Sequence, residues 1–175
     1  MKFTLFYNGV LKANGSVKDK HKIRLKLHEQ LEELWKHYPL CNLHNNQQII
    51  KLKIGDYEFV PVVSSEIDMT AEIHITLLRP GLPGSIFTEG GDIDNRLKTL
   101  LDALSVPEKP EALPNRNASE SSNNPIYTLL ENDALITGIS VYADRLLEPA
   151  VDKSYVRLML KVNTINNRAN LSGIP

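Results

Sequence analysis

The chain has few cysteines and no long apolar runs, and each shortage excludes something. Cys41 is the single cysteine among 175 residues, so no internal disulfide can form, and nothing around it resembles a set of zinc ligands. A run of about 20 apolar residues, which a membrane-spanning helix needs, is missing, and the first residues lack the apolar core of a signal peptide. We therefore expect a cytoplasmic protein with no membrane partner.

Two common kinds of site are also missing from the sequence. The histidines contain no His-x-x-x-His pair, which argues against a zinc centre; they are His21, His28, His37, His44 and His74. Gly90-Gly91 is not followed by the Lys-Ser or Lys-Thr of a nucleotide-binding loop.

The net charge of −1 hides an uneven distribution along the chain. Residues 1–54 carry ten Lys or Arg against four Asp or Glu, whereas residues 55–175 carry ten against seventeen. A basic front beside an acidic centre suits a protein that grips phosphates with one surface and a cation with another. Solvated helix faces would give similar counts, so the charge pattern alone does not show that the protein binds phosphates or a cation.

The periodicity of apolar residues predicts two helices and six strands. Helical spacing predicts helices over residues 19–38 and 92–104, the first with Asp19 as N-cap and Pro39 as its stop. Alternation predicts strands over residues 3–7, 50–54, 57–63, 71–77, 135–143 and 155–162. We expect a hairpin at Gly55-Asp56, an edge position at Pro61, and an antiparallel pair formed by the last two strands.

This order of elements predicts the α+β class, with helices packed on one face of a mixed β-sheet. The length and the even composition favour a single domain over residues 1–175. Residues 107–125 contain four prolines and many Ser and Asn, which predicts a flexible loop. Residues 163–175 are expected to form a frayed tail.

The segment from Asp92 to Leu104 is the most informative part of the chain. It places two carboxylates, Asp92 and Asp94, at the start of an apolar-periodic helix, with Lys98 four residues after Asp94 on the same face. Carboxylate oxygens are the ligands that Mg²⁺ or Mn²⁺ prefers, and substrate phosphate can complete the shell. Asp133 is the candidate third ligand, with Glu131 as its nearest competitor.

A structural explanation competes with this chemical one. Acidic residues before an apolar helix also cap it and compensate its dipole, and Asn95 could act in the same way. Lys98 could be a solvated partner of Asp94 and Asp102, each four residues away. Residue types and spacing alone leave both explanations open.

A resemblance to a known family favours the chemical explanation. Asp92-Ile93-Asp94-Asn95 with Lys98, then Asp102-Ala103-Leu104 and later Asn132-Asp133-Ala134, resembles the signature of the RusA-type Holliday-junction resolvases. The resemblance covers about residues 70–162. Asn132 stands where that family has the first of two adjacent aspartates, and the segment before it is longer here.

The resemblance implies a RusA-like α+β homodimer that cleaves branched DNA with Mg²⁺ or Mn²⁺ during recombination and repair. It implies that Asp92, Asp94 and Asp133 hold the metal, and that Lys98 joins them as a catalytic residue. The motif asparagine and the basic front would contact DNA; the predicted contacts are Lys18, Lys20, Lys22, Arg24, Asn95 and Lys98.

Two alternatives remain from the sequence. The chain could be a branched-DNA-binding protein of the same fold that has lost cleavage, because Asn132 or the long loop impairs the metal site. It could instead be an unrelated α+β domain in which the aspartates only cap a helix. The first predicts binding without nicks, and the second predicts neither metal nor DNA binding.

Overall fold

The protein is an α+β domain with three α-helices and seven strands among the residues described. The structure is a computed structural model that describes residues 1–45, 49–82, 84, 92–115, 125–149 and 152–167. In chain order the elements are β1 (Lys2–Val10), α1 (Val17–Trp35), α2 (Leu40–Asn45), β2 (Leu52–Ile54), β3 (Tyr57–Val63), β4 (Met69–Arg79), α3 (Asp92–Leu104), β5 (Ile126–Leu130), β6 (Ile136–Arg145) and β7 (Tyr155–Asn166). None of the helices in the described part of the chain is long and apolar enough to cross a membrane.

The predicted α+β class is confirmed, but the strands form two mixed sheets where the sequence predicted one. The larger sheet has the order β1-β7-β4-β6, and the smaller one has the order β2-β3-β5. In the larger sheet β7 runs antiparallel to both of its neighbours, whereas β4 and β6 are parallel. Both sheets contribute to one apolar core with α1 and α3.

The predicted antiparallel pairing of the last two strands is also wrong. β7 lies between β1 and β4, and β6 pairs with β4 on the far side. Alternating residues in β7 are buried, which fits a central strand that has one covered and one open face. The strand continues to Asn166, so residues 163–166 are not the predicted tail, and residues 168–175 lie outside the described part.

Strand β5 was not predicted from the sequence because it does not alternate. All five of its residues are buried, and it pairs in parallel with β3. A strand that is covered on both faces forms a continuous apolar run, which periodicity cannot recognise. The predicted hairpin of β2 and β3 is confirmed, but the predicted edge position is wrong, because β3 is the middle strand of the smaller sheet. Among the described residues β2 pairs with Tyr57–Phe59 alone, so Pro61 is paired with β5 and not with β2.

The first helix begins at Val17, two residues before the predicted start, and its N-cap lies three residues before the predicted one. Ser16 is the N-cap, and it forms a capping box in which its side chain accepts from the Asp19 backbone N–H and Asp19 accepts from the Ser16 backbone. The hydrogen bond that the Ser16 hydroxyl donates to the Asp19 carboxylate, at 2.6 Å, is the main cause that lowers the pKa of Asp19 to about 2. Asp19 is therefore the third helical residue and not the N-cap.

The contact between His28 and β5 predicts a pH-dependent stability. The Tyr127 backbone N–H donates to Nδ1 of His28 at 3.0 Å, and burial lowers the pKa of His28 despite the opposing charges of Glu32 and Glu29. Below the ordinary His pKa of about 6.5 the unfolded chain binds a proton that the folded chain resists, so stability falls as the pH drops.

Melting temperatures at about pH 7.5 and about pH 5.5 test this expectation, because that interval spans the titration of an ordinary His. His28→Gln should lose part of the drop in melting temperature that the wild type shows on acidification. His74→Gln is the matched control, because His74 is exposed on β4. An equal drop in both variants would show that His28 does not carry the effect.

Candidate active site

A cavity of about 590 Å³ lies where the start of α1, the second half of α3 and the turn after β5 meet. Segment 105–112, which follows α3, forms its remaining wall. The cavity is lined by Lys20, Arg24, Lys98, Asp102, Ser105, Val106, Pro107, Glu108, Lys109, Glu111, Ala112, Asn132 and Asp133. Two of the residues that the sequence predicts for catalysis, Lys98 and Asp133, thus face one space.

Asp133 reaches the cavity because the end of β5 is tied to the end of α3. The Val106 N–H donates to the carbonyl of Leu130 at 3.0 Å, and Ser105 forms a parallel bridge with the same residue. The chain then turns, and the Asn132 side chain accepts from the Ala134 N–H at 3.0 Å. This cap leaves Asp133 exposed as the first residue of a short 3-10 turn.

Lys98 and Asp94 lie one turn apart on α3. Residues four apart on a helix are separated by about 6 Å along the axis, so Asp94, Lys98 and Asp102 form one stripe. Within the described part of the chain neither Asp94 nor Lys98 has an ion-pair partner within 4 Å. Asp102 is paired instead with Lys20, at 2.6 Å. The interpretation of Lys98 as a salt-bridge partner of these two aspartates is therefore not supported.

The structure does not place all three predicted metal ligands at the cavity. Asp94 is exposed and is not among the residues that line the cavity. Asp92 is the first residue of α3, but its side chain lies outside the described part, as does Gly90-Gly91. Among the described side chains no three of His, Cys, Asp and Glu are placed to hold one ion.

Glu131, the competitor of Asp133, is held by serines. Its carboxylate accepts from the Ser64 hydroxyl at 2.6 Å, from the Ser65 backbone N–H at 2.8 Å and from the Ser65 hydroxyl at 3.0 Å. Burial raises the pKa of Glu131, but these hydrogen bonds outweigh it and hold the pKa below its usual value. Glu131 joins the ends of β3 and β5, and of the two carboxylates only Asp133 lines the cavity.

Arg24 lines the cavity but is almost fully buried, and its guanidinium is bonded to the protein itself. Arg24 is 2% exposed. Its guanidinium donates to the carbonyl of Asp102 at 2.8 Å and to the carbonyl of Ser105 at 3.3 Å. It thereby caps the end of α3 and lies over the ring of Phe59. Burial lowers the pKa of Arg24 to about 10, although Asp102 opposes the shift.

The remaining predicted DNA contacts differ in exposure and in charge pairing. Lys18 and Lys22 are exposed on α1, where a phosphate could reach them. Lys20 lies at the edge of the cavity and is neutralised by Asp102. Asn95 is partly buried on α3.

Sequence reasoning did not assign several residues of the cavity. Asp102 was available from its spacing, since it continues the stripe of Asp94 and Lys98. Glu108, Lys109 and Glu111 lie in and beside the 3-10 turn Pro110–Ala112, in a segment predicted as a flexible loop. No periodicity marks that segment, so nothing in the sequence placed these charges near Lys98.

No protein-family model matches this chain, and no match is found among curated proteins or among solved structures.

Proposed function

We propose that the protein is a Mg²⁺-dependent, structure-selective DNA endonuclease that hydrolyses phosphodiester bonds in branched DNA, such as Holliday junctions. The observation that carries the proposal is the meeting of Lys98 and Asp133 at one cavity, although 35 positions separate them in the chain. Asp94 lies one helical turn before Lys98. The choice of DNA as substrate rests on the resemblance of these residues to the RusA signature.

The donor set fits a hard divalent cation. Asp94 and Asp133 are exposed carboxylates with no hydrogen-bond donor or cation bonded to them among the described residues. Asp92 is the further carboxylate that the motif assigns. A bound Mg²⁺ or Mn²⁺ would activate water and neutralise charge on the scissile phosphate.

Lys98 supplies the positive charge that the chain itself offers to the phosphate. Since Asp102 is paired with Lys20, the Lys98 ammonium is not neutralised by its helical neighbours and can donate to a phosphate oxygen. Such a donor stabilises the charge that develops in the transition state. Asn132 stands where the motif has the first of its two adjacent carboxylates, and its amide oxygen serves as a cap.

Lys18 and Lys22 are the proposed contacts to the DNA backbone. Contacts of this kind fix the position of a protein on DNA, and their contribution weakens as salt rises. Two symmetric nicks require two equivalent sites, so the proposal includes a homodimer. A cytoplasmic location and a role in recombination and repair belong to the same proposal.

Cleavage of a synthetic four-way junction tests the proposal. The wild type is compared with Asp94→Asn on the junction and on linear duplex of the same sequence, with Mg²⁺ and with EDTA. We expect paired nicks in the junction that require both Mg²⁺ and Asp94. Asn at position 94 keeps the size of the side chain, so melting temperatures should match.

Two other outcomes would replace the proposal. Junction binding without nicks would identify a DNA-binding protein that has lost cleavage. Absence of both binding and cleavage would indicate that Asp92 and Asp94 only cap the helix.

A further inference from the structure

One side of the larger sheet carries exposed side chains on all four strands. In β1, β4 and β7 alternate residues are buried in the core with α1 and α3, and the residues between them point to the other side. On that side Thr4, Lys161, His74 and Tyr142 are exposed, one on each strand. The side that carries these four residues, the open face, is turned away from the two helices that form part of the cavity wall.

Two aromatic rings stand at opposite edges of the open face. Phe6 on β1 and Tyr142 on β6 have 55% and 65% of their surface exposed. Phe6 is opposite Met159 on β7, which is opposite Thr76 on β4. Thr76 in turn is opposite Tyr142. Directly opposed residues point to the same side of a sheet, so these four form one row across three strand spacings, about 14 Å.

The neighbouring row of the open face places a positive charge beside these rings. Lys161 lies two positions after Met159 on β7, about 7 Å along the strand. It is exposed, and within the described part of the chain it has no ion-pair partner within 4 Å. Its row also contains Thr4, His74 and Ser140, and the last two are joined by a hydrogen bond of 2.7 Å. Neither this row nor the row of the rings contains a carboxylate.

The carboxylates of the open face lie in the two outer rows. Glu72 shares its row with Lys2, and Asp144 shares its row with Arg157. Arg157 is already paired with Glu148 at 2.7 Å. The outer rows therefore carry no excess of positive charge, and phosphates are favoured over the two central rows alone.

We propose that the open face binds single-stranded DNA, which crosses the sheet along the two central rows. Its bases stack on Phe6 and Tyr142, and its phosphates pass Lys161. Such stacking tolerates any sequence, because every base has a π-face. One strand of B-DNA advances about 3.4 Å per nucleotide, so the span of about 14 Å between the rings corresponds to at most about four nucleotides.

This site goes beyond the proposed function, because it lies apart from the cavity and involves no cleavage. The bases of a duplex are paired and stacked on one another, so they cannot stack on the rings of the open face. The site therefore selects single strands. Only the choice of DNA over RNA as the occupant rests on the proposed function.

Fluorescence anisotropy of a labelled oligothymidine of about 12 nucleotides tests the site. All titrations contain EDTA, so that cleavage plays no part. The wild type should bind the oligothymidine more tightly than a duplex of the same length. Phe6→Ser with Tyr142→Ser should weaken binding about 10-fold for each ring and about 100-fold together. Tyr38→Ser is the matched control, since Tyr38 is 79% exposed outside the sheets, and it should bind as the wild type does.

The salt dependence tests the role of Lys161 separately. Each phosphate contact on a single strand contributes about 0.7 to the slope of log K against log salt concentration, so Lys161→Ala should make this slope shallower by about 0.7. Lys53→Ala is the matched control, because Lys53 is exposed on β2 of the smaller sheet and should leave the slope unchanged. A lysine with a purely structural role would not change the slope.

Stacking can be observed directly with Phe6→Trp. This variant should bind as tightly as the wild type, and the fluorescence of its new indole should be quenched by the oligothymidine. Trp35, the only native tryptophan, is 5% exposed and lies in the core, so it should not respond. If the double serine variant fails to fold, Phe6→Leu with Tyr142→Leu removes the rings and keeps apolar side chains.

Three results would overturn the inference. The first is absence of oligothymidine binding, or equal binding by the wild type and the ring variant. The second is tighter binding of oligouridine, which would make RNA the occupant. The third is a change in the mass of the ring variant by light scattering without any DNA binding, which would assign the face to a protein partner. A protein that binds oligothymidine at these rings but cuts no junction would contradict the proposed function alone.

Discussion

Replacement of Asp133 by Asn should abolish most junction cleavage without changing the stability of the protein. The substitution keeps the shape of the side chain but removes the carboxylate charge that we propose holds Mg²⁺. Loss of one group that stabilises a transition state of this kind costs about 10²–10³-fold in rate. Asp133 is exposed and has no hydrogen bond that an amide would break among the described residues, so the melting temperature should stay the same. Initial rates on a four-way junction at saturating Mg²⁺ measure the effect.

Glu131→Gln is the matched control, since it removes a carboxylate two positions away. Its carboxylate accepts three short hydrogen bonds from Ser64 and Ser65, and the neutral amide would weaken them. Charge-assisted hydrogen bonds are about twice as strong as neutral ones, so we expect a loss of about 1 kcal/mol in the free energy of unfolding. Cleavage by the folded protein should change little. If Glu131→Gln lost cleavage while Asp133→Asn kept it, the third ligand would be Glu131.

The candidate site was predictable where its residues are close in sequence. Asp94 and Lys98 lie on one helix, and the period of that helix fixes their spacing before any tertiary contact forms. Asp133 lies at the cavity because the bridge between Ser105 and Leu130 joins the end of α3 to the end of β5. Asp133 was predicted as the third carboxylate because it lies just before a predicted strand, and the family resemblance then favoured the same residue.

The burial of Arg24 was also readable from the sequence, yet it was missed. Arg24 stands three residues before Leu27 and seven before Leu31, both of which are fully buried in α1. This spacing places its side chain on the apolar stripe. Arg24 was grouped with the basic residues of positions 1–54, and its spacing from these leucines was overlooked.

Apart from the hairpin of β2 and β3, the strand pairing could not be predicted, because it depends on contacts distant in sequence. β7 inserts between β1 and β4, and its pairing with β1 joins Lys2 to Asn163 across nearly the whole chain. Neighbouring strands in sequence usually pair, which favoured the wrong antiparallel pair of β6 and β7. Local patterns thus identified most elements but not their order in the sheets.

The position of α3 depends on a close contact with the loop that precedes α1. Arg96 donates to the carbonyl of Leu11, and the Gly15 N–H donates to the Thr99 hydroxyl at 2.9 Å. A Cβ atom at Gly15 would lie 2.6 Å from Cγ2 of Thr99, which is shorter than any real contact between such atoms. Glycine is therefore needed here for close approach, and the methyl group of Thr99 sets the limit.

Gly15→Ala should destabilise the protein, and Thr99→Ser should relieve part of that loss. Overpacking of this kind costs about 1–3 kcal/mol, and removal of one buried methyl group costs about 1 kcal/mol. Serine keeps the hydroxyl that accepts the Gly15 N–H, and the new Cβ atom would occupy the space that Cγ2 leaves. The double variant should therefore lose less than the sum of the two single losses, with a coupling of about 1–2 kcal/mol.

Urea unfolding of the wild type, the two single variants and the double variant completes this cycle. The same contact should act on cleavage, because α3 carries Asp94 and Lys98, and small displacements of reacting groups lower rates strongly. Junction cleavage should therefore fall in Gly15→Ala and recover in the double variant, along with the free energy of unfolding. Strictly additive losses in stability would show that Thr99 does not limit residue 15. A recovery of stability without a recovery of cleavage would mean that the loop before α1 supports the fold but does not position the catalytic residues.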